Sequence, residues 1–473
     1  MTPYELVTSA YRLPFPLYTF QVDAINELAD YTGQKLLLDM GTGKTICLVT
    51  IALYKMLNGR VDTCIVLMPP ILLTNWSRTL SSIPGTTHTI YRGTPKQRAA
   101  LPLDRQFILM SYQIFCRDHE YLAKHVTGRT LLACDESTAV KNVGTATYKT
   151  VRNWAHDSDI ALLSGSPLSS PADGYAPIKL TTPQVYMNLA QFERIHIKSR
   201  DFFNNPTEWQ NLDLLNANLM LQSVRVLKTD VLKQLPPMTY VPMYYELDPE
   251  HLKIYKTLCN EQMLKFSDGS KFDATTSASA LFHALQQIPM NREVFSGAGG
   301  KVSTGVELIE EILDELGEGK LVVFTSYRAT NRMLSERLKP YGVTAIYGEV
   351  SAKQQDEALE TFLTDPKCRV ILLQLRSAGF GLDRLQTVAS DVLFAEMPLV
   401  PAHFHQAIAR LWRIGQTRPV TVRVAIAEKT IQVRLWDVLQ EKDSLVNMCV
   451  RGYQDIRDAL EGKSASHETT VSV

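Results

Sequence analysis

A chain of 473 residues is too long for one ordinary domain and predicts two or three. Hydrophobic residues make up 45% and charged residues 21%, which is typical of a globular protein with a large core and excludes a disordered or fibrous one. Basic and acidic residues both number 49, so the formal net charge is zero. This balance excludes a general polycation, and any nucleic-acid site must be a local patch.

Seven cysteines stand far apart in the chain, without a Cys-x-x-Cys pair. Their odd number and apolar surroundings predict free thiols in a reducing compartment and argue against a zinc or disulfide framework. The N-terminus, Met1–Leu13, carries polar and acidic residues where a signal peptide has an apolar core. The longest apolar run, Cys64–Leu73, is interrupted by two prolines and is too short to span a bilayer. We therefore expect a soluble intracellular protein.

The first third of the chain alternates short apolar runs with helical patterns. Near-continuous apolar strands separated by helices predict a parallel sheet that is covered on both faces. The predicted strands are Lys35–Leu38, Cys64–Met68, Phe107–Met110, Leu131–Cys134 and Ile160–Leu163, and the predicted helices include Thr45–Leu57 and Ile71–Leu80.

The segment Asp-Met-Gly-Thr-Gly-Lys-Thr at 39–45 links the first predicted strand to the first predicted helix. Its two glycines let backbone N–H groups point at phosphate oxygens, and the helix N-terminus adds its dipole. Lys44 is expected to neutralise the β- and γ-phosphates of ATP, and the Thr45 hydroxyl to hold Mg²⁺. Leu38 stands where the general phosphate-loop pattern has glycine, and a purely structural strand–helix link is the alternative. The predicted ATP-binding residues of this loop are Met40, Gly41, Thr42, Gly43, Lys44 and Thr45.

Two carboxylates follow the predicted strand Leu131–Cys134. Because the carboxyl ends of parallel strands meet at one edge of a sheet, we expect Asp135 and Glu136 beside the phosphate loop. Asp135 would bind Mg²⁺ and Glu136 would orient the attacking water, so both are catalytic candidates together with Lys44. The pair alone is also typical of a solvated turn or a helix cap.

The same alternation returns later, so we predict two α/β lobes at 1–175 and 301–450. The segment 176–300 between them has a mostly helical pattern and ends in a glycine-rich joint, and 451–473 is a polar tail. Phe202, Phe203 and Trp209 of the middle segment are predicted to be core residues. In the second lobe we predict the strands Lys320–Phe324, Thr344–Tyr347, Val370–Leu373, Val392–Phe394 and Val420–Ala425, and the helices Arg332–Lys339, Lys353–Leu363, His403–Arg410 and Ile431–Leu439.

Arg410 and Arg413 belong to the last part of this pattern. A spacing of three residues on a helix places both side chains on one face. Arginine suits the charge that is spread over a phosphoryl-transfer transition state. Both are therefore catalytic candidates, expected to reach the nucleotide from the second lobe when the lobes close. A basic helix surface is the other interpretation of the pattern.

Taken in order, these motifs resemble superfamily 2 helicases and, within them, the Swi/Snf family of duplex-DNA translocases. The resemblance runs from about residue 15 to 440. Its most specific strings are Arg225–Pro237 (RVLKTDVLKQLPP) and Arg413–Gln416 (RIGQ), which strand-separating helicases lack. The other matching segments are Phe15–Gln21, Asp39–Thr45, Cys64–Trp76, Leu109–Gln113, Asp135–Asn142, Leu163–Leu168, Val322–Tyr327 and Leu375–Asp383.

The resemblance implies two tandem RecA-like parallel-sheet lobes with a mostly helical insert between them. It implies ATP and Mg²⁺ as cofactors, with Gln21 reading the adenine and Gly381 near the nucleotide. It also implies DNA contacts, for which the candidates are Asn75, Ser111, Ser326, Arg376 and Ser377. We expect a monomer that binds duplex or branched DNA, without a membrane, and with a replication, repair or transcription protein as a further partner. The expected location is the cytoplasm of a bacterial or phage-infected cell, in association with the nucleoid, or the nucleus if the source is eukaryotic.

The chain departs from the family pattern after its acidic pair. Ser137-Thr138 stands where the family has Ala-His, and that histidine links the nucleotide site to the DNA-contacting elements. The expected function is ATP hydrolysis coupled to movement along duplex DNA, used for fork remodelling, branch migration, annealing or displacement of bound proteins. The alternatives are a strand-separating helicase, an ATP-dependent switch that acts on a protein such as RNA polymerase, and a motor that has lost its activity.

Overall fold

The computed structural model describes residues 1–165, 168–202, 204–232, 235–261, 263–265, 271–273, 278–296, 303–348, 350, 352–375, 384–398 and 401–440. The described residues form two compact units, Met1–Lys233 and Gln234–Glu441. Each unit contains its own parallel sheet with helices around it. The predicted fold class, α/β with two parallel-sheet lobes, is confirmed.

The first unit alternates strands and helices over most of its length. Its strands are β1 (Gly33–Leu38), β2 (Thr63–Met68), β3 (His88–Ile90), β4 (Phe107–Ser111), β5 (Thr130–Asp135), β6 (Asp159–Leu163), β7 (Ile197–Arg200), β8 (Pro206–Trp209) and β9 (Ser223–Val226). Its helices are α1 (Pro3–Ala10), α2 (Thr19–Leu28), α3 (Lys44–Leu57), α4 (Leu73–Ser81), α5 (Pro95–Ala99), α6 (Tyr112–His125), α7 (Ala146–Trp154), α8 (Tyr175–Thr181), α9 (Leu189–His196), α10 (Leu212–Met220) and α11 (Lys228–Val231). Short 3₁₀ turns span Pro70–Leu72, Ser137–Val140 and Pro171–Gly174.

The sheet of the first unit has the strand order β3-β4-β2-β5-β6-β1-β9, and its strands pair in parallel. Successive residues of a strand point to opposite faces. Val66 of β2 packs into the cluster formed with α1 to α4, whereas Ile65 and Leu67 pack into the cluster formed with α6 to α8. Both faces are therefore covered, which is why the strands read as continuous apolar runs.

The second unit is built in the same way. Its strands are β10 (Met238–Tyr245), β11 (Met263–Lys265), β12 (Lys271–Asp273), β13 (Leu321–Thr325), β14 (Val343–Ile346), β15 (Val370–Gln374), β16 (Asp391–Phe394) and β17 (Val420–Ala427). Its helices are α12 (Pro249–Glu261), α13 (Ala278–Gln287), α14 (Glu293–Ser296), α15 (Thr304–Glu315), α16 (Arg328–Arg337), α17 (Ala352–Thr364), α18 (Leu385–Val388), α19 (Pro401–Ile408) and α20 (431–440), with a 3₁₀ turn at Lys339–Tyr341.

The six-stranded parallel sheet of this unit has the order β10-β17-β16-β13-β15-β14 within the described part of the chain. Strand β10 pairs with β17 from Met238 to Tyr245 and forms an edge of the sheet. Its Pro242 cannot donate a hydrogen bond, and an edge strand tolerates this because one side has no neighbour.

The segment 176–300, predicted to be a mostly helical insert, contains the helices α9 to α14 in its described part and also short strands. It contributes β9 to the first sheet and β10 to the second, and it contains the antiparallel hairpins β7–β8 and β11–β12. The sequence concealed β9 and β10 because serine, arginine, tyrosine and proline interrupt their apolar residues. These strands are stable because an existing sheet edge pairs with them, and that stabilisation is tertiary.

Of the three aromatic residues of this segment that we predicted to lie in the core, the structure describes two. Phe202 is 96% exposed beside the hairpin β7–β8, so its assignment to the core was wrong. Trp209 is partly buried and packs against the cluster around Phe192, so its assignment was right. Phe203, the tail 451–473 and residues 297–300 of the glycine-rich joint lie outside the described residues.

Two further expectations concern the class of protein. All six cysteines in the described part of the chain are free thiols, as predicted. None of the described helices combines the length and the apolar character that crossing a membrane requires.

A buried lysine on β1 is expected to make the stability of the first unit depend on pH. Lys35 is fully buried and donates to Oγ1 of Thr181 at 2.7 Å and to the carbonyl oxygen of Leu221 at 2.6 Å. Burial lowers the pKa of its amine to about 7. Because the unfolded chain keeps this proton up to about pH 10.4, the free energy of unfolding should rise from pH 7 to 10, by at most about 1.4 kcal/mol per pH unit.

The variant Lys35→Met should lose this contribution. Urea unfolding of wild type and variant at pH 7 and pH 9 measures it, and the variant should gain less stability than wild type between the two values. Equal gains in both proteins would contradict a neutral buried amine at pH 9.

Candidate active site

The loop between β1 and α3 forms a backbone cradle. Gly41 and Gly43 have φ angles of 79° and 89°, the left-handed region that favours glycine. A Cβ atom on Gly43 would lie 2.2 Å from Nε2 of Gln21, so a side chain there would displace the Gln21 amide. Helix α3 begins at Lys44, and the N–H groups of its first turn lack helical partners and suit an anion. These features fit the phosphates of a nucleotide.

The amine of Lys44 folds back onto this loop. It donates to the carbonyl oxygen of Leu38 at 2.9 Å and to that of Asp39 at 3.3 Å. Burial lowers its pKa, while the carboxylates of Glu136 and Asp135 act in the opposite direction. The structure thus brings the three predicted catalytic residues of the first lobe together, although β6 lies between β1 and β5 in the sheet.

The acidic pair stands at the carboxyl end of β5, where both residues are almost fully buried. Oδ2 of Asp135 accepts a hydrogen bond from Nε1 of Trp76 at 2.8 Å, and Oδ1 accepts one from the backbone N–H of Glu136 at 3.0 Å. Burial raises the pKa of Asp135, against the effects of the Trp76 hydrogen bond and the Lys44 charge. Glu136 has a φ angle of 52°, which is unusual for a residue with a side chain and turns the chain sharply after the strand.

Thr45 and Asp135 are the residues that would hold Mg²⁺. Two protein side chains suit this ion, which is usually bound through one or two carboxylates, water and the phosphates of the substrate. In the described ranges, histidine, cysteine, aspartate and glutamate form no group of three or more that could hold a metal by itself. When bound, Mg²⁺ neutralises charge on the phosphates.

Gln21, the predicted adenine reader, lies against the phosphate loop. It is only 3% exposed, its Nε2 donates to the carbonyl oxygen of Thr42 at 2.8 Å, and its Oε1 accepts from the backbone N–H of Tyr18 at 2.9 Å. Its side chain therefore joins the start of α2 to the loop. Its contact with adenine stays a prediction.

Arg225 lies at the phosphate loop, a position that the sequence did not predict. Its Nη1 donates to the carbonyl oxygens of Leu37 at 3.0 Å and Gly165 at 3.1 Å, and its Nη2 lies 3.3 Å from Oδ1 of Asp39. Oδ2 of Asp39 accepts from the backbone N–H of Lys228 at 2.9 Å. One guanidinium thus ties the phosphate loop to β9 and to the loop after β6. The only signal for it was its place in the family-specific string RVLKTDVLKQLPP.

We expect Arg225→Lys to weaken this arrangement, because a lysine amine cannot reproduce the planar fork that reaches three acceptors. The free energy of unfolding of the first unit should fall by about 1–2 kcal/mol, and the affinity for ATP should fall with it. Urea unfolding and nucleotide titration measure the two effects. Arg60→Lys is the matched control, since Arg60 pairs with Asp30 at the exposed surface; equal losses in both variants would contradict the role of Arg225.

In the second unit, the two candidate arginines do not share a helix face. Helix α19 ends at Ile408, before Arg410 and Arg413, so the predicted helix His403–Arg410 was too long. The chain then turns, because Gly415 adopts a φ angle of 94° and Gln416 donates from Nε2 to the carbonyl oxygen of Ala389 at 2.9 Å. Both arginines therefore lie in a turn that the rest of the unit holds in place.

The DNA-contact candidates differ in exposure. Asn75 on α4 and Ser326 after β13 are partly exposed. Ser111 is 4% exposed, and its hydroxyl accepts from the backbone N–H of Ile114 at 3.3 Å and caps α6. Arg376, Ser377 and Gly381 lie outside the described residues.

The backbone around Ser326 is held by a buried carboxylate that the sequence did not reveal. Oε2 of Glu396 accepts from the backbone N–H groups of Ser326 at 2.8 Å and Tyr327 at 2.9 Å, and its Oε1 accepts from the Thr330 hydroxyl at 2.6 Å. Burial raises the pKa of Glu396 to about 7 despite these three donors. The turn at the end of β13 thus has a defined shape before any ligand binds.

Comparison with known proteins identifies the family. The family model described as the SNF2-related domain matches residues 29–293, more than half of the 473-residue chain. The chain belongs to the SNF2-related family. In this SNF2-related chain, the helicase conserved C-terminal domain matches residues 304–415. The resemblance to the Swi/Snf family is thereby confirmed.

Curated relatives of this SNF2-related chain match over almost its whole length. It is 25% identical to an uncharacterized ATP-dependent helicase of Mycoplasma pneumoniae, over 86% of this chain and 39% of the relative. It is 25% identical to the human DNA annealing helicase and endonuclease ZRANB3, over 95% of this chain and 42% of the relative. The chain spans less than half the length of these relatives.

Two further similarities concern a vertebrate relative and a solved structure. The SWI/SNF-related matrix-associated actin-dependent regulator of chromatin subfamily A-like protein 1 of Xenopus tropicalis is 28% identical, over 91% of this chain and 44% of the relative. The Sulfolobus solfataricus SWI2/SNF2 ATPase core in complex with dsDNA has a TM-score of 0.44 and 23% identity, over 96% of this chain and 97% of that chain.

Proposed function

We propose that this protein hydrolyses ATP when DNA stimulates it and uses the energy to move along duplex DNA. The observation that carries the proposal is the grouping of Lys44, Asp135 and Glu136 around a glycine cradle in a SNF2-related chain. The family-specific residue Arg225 supports it, since it is bonded directly to this cradle.

In the proposed reaction, water attacks the γ-phosphorus of ATP in line while its bond to the β,γ-bridging oxygen breaks, and ADP and phosphate leave without a covalent intermediate. The N–H groups of the cradle and the Lys44 amine bind the phosphates, and the Glu136 carboxylate orients the water and accepts its proton. Arg410 and Arg413 are proposed to stabilise the charge of the transition state. Gln21 and Gly381 complete the proposed set of nucleotide-binding residues.

The proposed nucleic-acid partner is duplex or branched DNA, bound through its backbone. Asn75 and Ser326 are the proposed contacts with partly exposed side chains, and Ser111, Arg376 and Ser377 complete the set. Backbone contacts give an affinity that is independent of sequence and falls with salt. The tasks proposed for this activity are fork remodelling, branch migration, strand annealing and displacement of bound proteins, and a relative named a DNA annealing helicase supports them.

The deciding experiment is steady-state ATP hydrolysis without nucleic acid and with single-stranded DNA, linear duplex and forked duplex, with Lys44→Ala as the inactive control. Strong stimulation by linear or forked duplex, abolished in the variant, is the expected result. A parallel assay should show no separation of the strands of the forked duplex.

Each alternative predicts a different result. A strand-separating helicase would release the strands of the fork in an ATP-dependent way. A nucleotide-dependent switch that acts on a protein such as RNA polymerase would bind ATP with turnover that no DNA changes. A motor that has lost its activity would show no turnover above that of Lys44→Ala.

A further inference from the structure

Tryptophan residues are bonded to both ends of β5, the strand that ends in Asp135. At the carboxyl end, Nε1 of Trp76 donates to Oδ2 of Asp135 at 2.8 Å. At the amino end, Nε1 of Trp154 donates to the Thr130 hydroxyl at 3.1 Å. Only the Trp76 bond reaches a proposed Mg²⁺ ligand. The Trp154 bond joins the same strand away from the proposed site, so Trp154 can serve as a control.

Trp76 links the buried carboxylate of Asp135 to a partly exposed part of α4. Its side chain is 1% exposed and its indole N–H is directed at the buried carboxylate. It lies on α4 directly after Asn75, which is partly exposed and is a proposed DNA contact. Since both residues belong to one short helix, a displacement of that helix at Asn75 also moves the donor that holds Oδ2 of Asp135.

A second residue makes a parallel connection. Tyr112 is the first residue of α6 and is 5% exposed. Its hydroxyl donates to the backbone carbonyl oxygen of Asp135 at 2.8 Å. The side chain and the backbone of the same aspartate are therefore held from α4 and from α6, and both helices begin at the carboxyl edge of the sheet, after β2 and β4.

Within the described part of the chain, the two residues after the acidic pair make no comparable long-range hydrogen bond. Ser137 and Thr138 have short side chains in a 3₁₀ turn, and the hydroxyl of Thr138 faces the carbonyl oxygen of Glu136 within that turn. Among the described residues, Trp76 and Tyr112 are the distant side chains that donate hydrogen bonds to Asp135.

We infer that Trp76 and Tyr112 are positioning residues that couple DNA binding at α4 and α6 to the orientation of the Asp135 carboxylate. The inference rests on the proposed function. Bound duplex shifts α4, the indole N–H carries Oδ2 with it, and the carboxylate pivots about the bond that Oδ1 accepts from the backbone N–H of Glu136. Coupling between two ligand sites is reciprocal, so Mg²⁺-nucleotide changes DNA affinity by the same factor.

The test compares Trp76→Phe with Trp154→Phe, since each loses one indole N–H to β5 and keeps an aromatic ring. One readout is the ratio of ATP turnover with and without linear duplex. The other is the change in the Kd for duplex caused by a non-hydrolysable ATP analogue with Mg²⁺. Trp76→Phe should lower both ratios about 5-fold or more, whereas Trp154→Phe should stay within about twofold of wild type.

Tyr112→Phe removes a single hydroxyl and provides a second variant that is expected to fold even if Trp76→Phe does not. It should lower both ratios in the same direction. Equal effects of Trp76→Phe and Trp154→Phe would overturn the inference. Unchanged ratios in both Trp76→Phe and Tyr112→Phe would also overturn it. In either case, stimulation of the wild-type protein by DNA would leave the proposed function intact. A wild-type protein that DNA does not stimulate would overturn the proposed function, and the inference with it.

Discussion

Replacing Glu136 by glutamine is expected to lower the rate of ATP hydrolysis about 10²- to 10⁴-fold and to leave ATP binding nearly unchanged. The amide has the size of the carboxylate but cannot accept a proton from the attacking water. The turn should survive, because the bond from the backbone N–H of residue 136 to Oδ1 of Asp135 does not involve the exchanged group. The cradle and Lys44 are untouched, so the phosphates should still bind.

Single-turnover hydrolysis and nucleotide titration separate these two effects. Glu27→Gln on α2 is the matched control, since Glu27 is exposed and should tolerate the exchange. Lys44→Ala should differ from Glu136→Gln by losing nucleotide affinity as well as rate. A Glu136→Gln protein that hydrolyses ATP at the wild-type rate would remove Glu136 from the reaction and assign water activation to another group.

The sequence was enough to predict elements that are stabilised locally and strands that are buried on both faces. Strands buried on both faces must be apolar at every position, so β2, β4 and β5 were recognisable as continuous runs. The phosphate loop was recognisable because binding of phosphate and Mg²⁺ requires glycine, lysine and threonine at fixed positions. The edge at which Asp135 and Glu136 meet Lys44 followed from parallel strand topology.

The sequence was not enough to predict strands and contacts that depend on residues far apart in the chain. Strand β9 is ordinary in composition and exists because β1 pairs with it from Lys35 to Leu38. Trp76 is a buried aromatic residue, yet its single polar atom bonds a carboxylate 59 residues away. Arg225 meets Asp39 across 186 residues. No local pattern encodes such pairs, since spacing along the chain carries no information about them.

The end of α19 illustrates a different limit of sequence patterns. The run from His403 to Arg410 has good helical spacing, but the helix stops at Ile408. Trp412 then donates from Nε1 to the carbonyl oxygen of Pro236 at 2.9 Å, a contact with the segment that precedes β10. A tertiary hydrogen bond of this kind competes with continuation of the helix. Helical spacing of apolar residues cannot reveal such a bond.

Replacing either Arg410 or Arg413 by alanine is expected to lower DNA-stimulated turnover about 10³-fold or more, which is the range for arginines that stabilise a phosphoryl-transfer transition state. Affinity for ATP in the ground state should change much less. The turn that carries them is held by Gln416 and Trp412, so the backbone should keep its course when a side chain is shortened. Lysine should not restore the rate, because a single amine cannot bridge two phosphate oxygens as a guanidinium does.

Arg418→Ala is the matched control for this pair, because Arg418 is exposed on the same segment. Turnover is measured with saturating linear duplex, and ATP affinity by titration of each variant in the absence of DNA. If all three alanine variants kept wild-type turnover, the arginines would be a basic surface, the interpretation that spacing alone allows. If Arg410→Ala and Arg413→Ala lost turnover while Arg418→Ala kept it, hydrolysis in the first unit would depend on the second, as a motor that converts ATP hydrolysis into movement requires.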